Sequence, residues 1–171
     1  PTTVQTRAIP PAMHGKDLLV SSQTGSGKTA AFMLPAWHRF ATSGMDESRK
    51  TAREAPRSAR NGTVRQQTAC PKMLVLTPTR ELAQQIVSST EQYCAYLKHI
   101  RTVAILGGMP YHRQMQLLAR RPDILVATPG RLIDYLRSGK ITLEHLEILV
   151  LDEADRMLDM GFVEDIETII A

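Results

Sequence analysis

The sequence predicts an α/β fold in which a parallel sheet carries helices on both faces. Three observations predict it. Five short apolar runs recur along the 171 residues, and each ends in small or polar residues. Helix-length stretches separate them. The runs are apolar nearly throughout instead of alternating, as expected of strands covered on both sides.

Taken in order, Asp17 to Ser22 (DLLVSS) reads as the first buried strand, Gln23 to Thr29 (QTGSGKT) as a Gly-rich turn, and Ala30 to Phe40 as a helix. Lys72 to Thr77 (KMLVLT) is the second strand, followed by Pro78 and a helix reaching to about Leu97. Val103 to Leu106 is the third, ending at Gly107-Gly108. Ile124 to Ala127 is the fourth, before Thr128-Pro129-Gly130, and Ile148 to Leu151 is the fifth, before Asp152-Glu153-Ala154-Asp155. Every polar cluster thus follows the carboxyl end of a strand, the edge where open parallel sheets bind ligands. Residues 41–70 break the rhythm: rich in Ser, Thr, Arg and Ala and without apolar period, they read as an inserted basic surface loop.

The composition, 43% hydrophobic and 22% charged, is that of an ordinary globular domain. No apolar run approaches the roughly 20 residues of a membrane span. Two cysteines, Cys70 and Cys94, make no disulfide framework or zinc site and point to a reducing, cytoplasmic setting. The five histidines show no metal-ligand spacing, and Trp37 and Phe40 read as core. The net charge of +4 is uneven: residues 144–171 hold nine acidic side chains and one basic, which leaves a basic body compatible with a polyanionic partner.

The strongest local signal is Gly25-Ser26-Gly27-Lys28-Thr29. Glycines let successive N–H groups face a phosphate, and the helix that follows adds the positive end of its dipole. Lys28 would reach the β and γ phosphates of a nucleotide, and the Thr29 hydroxyl would ligate Mg²⁺. Ser22 stands where the usual phosphate-loop pattern has its first glycine. In Leu149–Asp155 (LVLDEAD), a carboxylate at a strand end suits Mg²⁺, the role of Asp152. Glu153 could deprotonate an attacking water. Pro78 and Pro129 stand at expected helix starts, each beside a threonine and near an arginine, Arg80 and Arg131. That combination grips phosphates and does not read bases. With eight aromatics, none among these motifs, base stacking is not expected.

Asp152-Glu153-Ala154-Asp155 spells the name of the DEAD-box RNA helicases, and five further segments resemble that family's motifs in order. Pro1-Thr2-Thr3-Val4-Gln5 resembles the end of its Q motif, which implies adenine recognition by Gln5. Ser22, Gln23, Thr24, Gly25, Ser26, Gly27, Lys28 and Thr29 are similar to motif I, commonly opened by Ala, and are implied to bind ATP. Pro78-Thr79-Arg80-Glu81-Leu82 resembles motif Ia, Gly107-Gly108 the GG motif, and Thr128-Pro129-Gly130-Arg131 motif Ib, together an RNA-backbone track. The resemblance makes Glu153, Asp152 and Lys28 catalytic, gives Mg²⁺ to Thr29 and Asp152, partly through water, and gives Asp155 a coupling role. It implies an amino-terminal RecA-like domain. A second RecA-like domain, carrying the arginine fingers and half of the RNA site, is expected elsewhere in the same protein. The family's Ser-Ala-Thr motif III does not occur before Ala171.

The expected activity is therefore RNA unwinding or remodelling coupled to ATP hydrolysis. Two alternatives compete. A GTPase or transporter ATPase would carry an Asn/Thr-Lys-x-Asp or Leu-Ser-Gly-Gly-Gln signature, and neither is present. A non-catalytic RNA clamp would be expected to have lost Lys28 or Glu153, and both are present.

Overall fold

The computed structural model describes residues 1–42, 68–93 and 100–171. Cys94, His99 and 43–67, the greater part of the basic insertion, lie outside the described residues. The chain forms two compact units, Pro1–Arg65 and Gln66–Ala171.

The first unit holds two helices, α1 (Thr3–Met13) and α2 (Lys28–Thr42). The run Thr2-x-x-Gln5 starts α1 as a capping box. The Thr2 hydroxyl accepts the Gln5 backbone N–H at 3.3 Å, and Gln5 Oε1 accepts the Thr2 N–H at 3.0 Å. Helix α2 buries Ala30, Ala31, Met33, Ala36, Trp37 and Phe40, so the two aromatics are core as expected. It runs on through Ala41 and Thr42, the first two residues assigned to the insertion. Between the helices, Asp17–Ser22 is not a strand. It has no ladder partner, and Leu18, Leu19 and Val20 are exposed, Leu19 fully. An apolar run becomes a strand only when another strand takes its N–H and C=O groups, and none is described within this unit.

The second unit is the sheet. Its strands are β1 (Met73–Leu76), β2 (Thr102–Ile105), β3 (Ile124–Ala127) and β4 (Ile148–Leu151). They pair in the order β2-β3-β1-β4, all parallel. The sheet therefore has four described strands where five were expected. Its helices are α3 (Arg80–Tyr93), α4 (Tyr111–Leu118), α5 (Pro129–Arg137), α6 (Ala154–Asp159) and α7 (Val163–Ile170). Side chains two apart share a face. Leu74 and Leu76, Leu125 and Ala127, Val103 and Ile105 form one layer, packed with Leu118, Leu132, Ile133, Tyr135 and Met157. Met73, Val75, Ile124 and Val126 on the opposite face are buried too.

Only the central strands β1 and β3 are buried at every residue. β2 alternates, and edge strand β4 leaves Leu149 and Leu151 more than a third exposed. The expectation of complete coverage thus fails at the edges, where a strand has one neighbour instead of two. Ala69, within the range assigned to the insertion, is buried and bridges in parallel to Ile141.

Candidate nucleotide and nucleic-acid site

In the first unit the glycine turn is fastened to α1. Thr2 Oγ1 donates to the Ser26 carbonyl at 2.7 Å, and Gln5 Nε2 donates to the Gly27 carbonyl at 3.3 Å. Ser22 and Ser26 share a hydroxyl hydrogen bond at 2.8 Å, and Lys28 Nζ donates to the Ser22 carbonyl at 2.6 Å. Gly25 and Gly27 have φ of +80° and +88°, which side-chain-bearing residues rarely adopt. A Cβ on Gly27 would collide with Gln5 Nε2, whereas one on Gly25 would meet open space. Seven of the eight motif I residues, Ser22 to Lys28, thus form one braced turn, and Thr29 lies in the first turn of α2. Gln23 accepts the Ser26 N–H, and Thr24 sits in the turn itself.

In the second unit the register does the positioning. Leu76 pairs with Ala127 and with Leu151, and Ile105 pairs with Ala127, so all four strands end level. The segments that follow, Thr77–Arg80, Leu106–Met109, Thr128–Arg131 and Asp152–Glu153, therefore leave one edge. The strand order puts the Gly-Gly loop beside Thr128–Arg131, then Thr77–Arg80, with the two carboxylates at the far end. The fifth expected loop, 23–29, follows no strand and belongs to the other unit.

Thr79 caps α3, its hydroxyl accepting the Leu82 N–H at 3.3 Å, while Thr77 Oγ1 donates to the Thr79 carbonyl at 3.0 Å. Pro78 lies two residues before the helix, not at its first position, because Thr79 occupies the cap. Pro129 does stand at the first position of α5, but the hydroxyl of its cap residue Thr128 makes no capping bond. Arg80 lies against Gly108, whose φ is +74°, and a Cβ there would come within 2.6 Å of Arg80 Nη1. Arg131 Nη2 donates to the Met109 carbonyl at 3.3 Å, and its guanidinium sits 5.6 Å from the Tyr135 ring centre. Burial pushes the Tyr135 hydroxyl above its ordinary pKa, and the Arg131 charge opposes that shift. The Gly-Gly loop is thus flanked by both predicted arginines. Gly130 opens no such contact; its nearest neighbour would be Asp165 at 3.9 Å.

At the far end the Asp152 N–H extends the ladder to the Leu76 carbonyl at 2.9 Å. Glu153 has a left-handed backbone, φ 55° and ψ 49°. Such strain in a non-glycine residue persists only where its surroundings impose it and collects at functional sites. Arg156 Nη1 pairs with Glu153 Oε2 at 3.3 Å, and Asp155 is exposed in the first turn of α6.

The family profile of the DEAD/DEAH box helicases matches residues 2–171. This chain belongs to that family. A probable ATP-dependent RNA helicase ddx3 of Dictyostelium discoideum is 46% identical over all 171 residues, which make up 23% of that protein. The ATP-dependent RNA helicase DeaD of Escherichia coli K12 is 41% identical, again over the whole chain and 23% of its own length. A crystal structure of a hypothetical ATP-dependent RNA helicase from Sulfolobus tokodaii superposes with a TM-score of 0.77 at 37% identity, covering 98% of this chain and 41% of that one. The DEAD-box chain thus spans about a quarter of the length of those curated relatives, and its sheet is of the RecA-like kind.

Two side chains that shape the family motifs here were missed. Thr2 braces the Ser26 carbonyl, a role that the readable Thr-x-x-Gln capping pattern hinted at. Gln114, fully buried, bonds the backbone of the Gly-Gly loop, and no sequence spacing marks it. Among the described residues no group of three His, Cys, Asp or Glu could hold a metal ion, and no helix is long and apolar enough to cross a membrane.

Proposed function

We propose that the intact protein is an ATP-dependent RNA helicase and that this chain is its nucleotide-binding half. The observation that carries the reading is the level carboxyl edge, where the loops holding Thr77–Arg80, Gly107-Gly108 and Thr128–Arg131 and the Asp152-Glu153 pair leave adjacent strands. In this reading the 22–29 turn receives the ATP phosphates through its backbone N–H groups and Lys28. Hydroxyl and carboxylate oxygens are of the type Mg²⁺ favours, and it usually takes one or two protein groups besides the phosphates. The motif resemblance implies Thr29 and Asp152 as its protein ligands, partly through water, and bound Mg²⁺ would neutralise phosphate charge.

Gln5 retains the capacity to read adenine. Its amide spends one acceptor site on Thr2 and one N–H on Gly27. One lone pair and one N–H remain, the complement of an adenine edge. Glu153 takes the proton of the attacking water, and Asp155 couples the nucleotide side to the RNA side. Pro78, Thr79, Arg80, Gly107, Gly108, Thr128, Pro129, Gly130 and Arg131 grip the RNA backbone without reading sequence. A second RecA-like domain of the same protein completes both sites in a cytoplasmic enzyme without membrane attachment.

The test is phosphate release by the intact protein and by residues 1–171, each with saturating RNA. The intact protein should hydrolyse ATP in response to RNA. The chain alone should be slower by roughly 10³–10⁵, the worth of an arginine finger. Comparable rates would sink the two-domain mechanism. Replacing Gln5 by Ala should weaken ATP more than GTP; an equal loss removes adenine from its role.

A further inference from the structure

We propose that Gln114 is a positioning residue for RNA binding, holding the Gly107-Gly108 backbone in the shape that accepts a phosphate. The proposal rests on the reading of that loop as part of the RNA track. Gln114 lies in α4 and is fully buried. Its Oε1 accepts the Leu106 N–H at 3.0 Å, and its Nε2 donates to the carbonyls of Leu106 at 3.1 Å and Met109 at 2.8 Å. Three of the four bonds an amide can make are therefore spent on the two residues that bound the glycine pair. A buried amide is tolerated only when it is paired, so this one ties the loop to a single shape where an apolar side chain would merely fill space.

The far anchor is shared. The Met109 carbonyl also accepts from Arg131 Nη2, and the Arg131 guanidinium lies over Tyr135, whose ring stacks on Tyr111 at 5.6 Å. Tyr111 opens the same helix that carries Gln114. Helices α4 and α5 thus close on the loop from two sides. Between the anchors Gly107 is half-exposed and Gly108 is exposed with φ of +74°. Their N–H groups have no partner among the described residues, so they are available to an anion.

The experiment uses the intact protein, a fluorescent single-stranded oligoribonucleotide and a non-hydrolysable ATP analogue. Gln114→Met should weaken RNA about tenfold, leave analogue affinity within twofold, and keep the slope of affinity against salt, because no charge is lost. Arg131→Ala should weaken RNA and lower that slope by about 0.7, the counterion release of one phosphate on a single strand. If Gln114→Met does not fold, Gln114→Glu replaces it: the carboxylate can still accept from Leu106 but cannot donate to Met109. Unchanged RNA affinity in a folded Gln114 variant overturns the proposal, as does an equal loss of RNA and analogue binding, which marks general damage. A loss in Arg131→Ala with none in Gln114→Met sinks the positioning role alone. No loss in either sinks the RNA track and the proposal with it.

Discussion

The 22–29 turn and the 106–109 loop are both glycine loops, and each is fastened by a glutamine amide. The amides sit in opposite surroundings. Gln5 is half-buried on α1 and spends two bonds, one on its own helix cap and one on Gly27. Gln114 is wholly buried and spends three on the loop backbone. A half-buried amide can exchange its partners for a ligand or water at little cost, while a buried one cannot. In the proposed reading, the first loop is therefore free to change partners when nucleotide arrives, and the second keeps its shape. Lys28 fits the same contrast, since its ammonium is parked on the Ser22 carbonyl, a neutral acceptor that a phosphate would outcompete.

The proposed division, ATP phosphates held by the first unit and the general base carried by the second, can be broken most sharply at Glu153. Glu153→Gln keeps the size and the polar tip but cannot take a proton. ATP turnover by the intact protein should fall by about 10²–10⁴ while ATP and RNA affinities hold. Near wild-type turnover would remove Glu153 from the chemistry. Lys28→Ala should act on binding as well as turnover. Losing a charge-assisted contact to phosphate, it should weaken ATP binding about 100-fold, roughly 2.7 kcal/mol, as titration calorimetry can read. Equal affinity would leave the turn without its proposed task.

Much of this was legible because it is local. Ile124–Ala127 and Ile148–Leu151 are strands at the expected residues, and Gly25 and Gly27 take the positive φ that a glycine turn calls for. What escaped is set by contacts distant in sequence. Asp17–Ser22 has a strand's composition but no ladder, and pairing is not a property of the run itself. Gln114 looks like any polar helix residue until Leu106 and Met109 are seen to surround its amide. Thr128 has the type of a cap without the bond, whereas Thr79 has both, and only the geometry after each strand tells them apart.

The smallest expected effect sharpens the comparison within a single loop. Gly25 and Gly27 both have positive φ, so alanine at either should cost about 1–2 kcal/mol of stability from backbone strain. Only at Gly27 does the added methyl also meet the Gln5 amide and approach Thr2 Oγ1 to 3.3 Å. Both are ends of side chains and can move, so the collision need not unfold the protein; it should instead displace the brace. Thermal melts of the two variants should therefore fall by similar amounts, while Gly27→Ala alone loses a further several-fold in ATP affinity. Combining Gly27→Ala with Gln5→Ala should add little, because residues acting through one contact are not additive. At Gly107, where φ is not positive and a Cβ meets nothing, and at Gly108, where φ is +74° and it meets Arg80, alanine should separate in both respects, with the larger fall in melting temperature and in RNA affinity at Gly108. Identical ligand affinities for Gly25→Ala and Gly27→Ala would show that the Gln5 contact holds the loop without shaping the site.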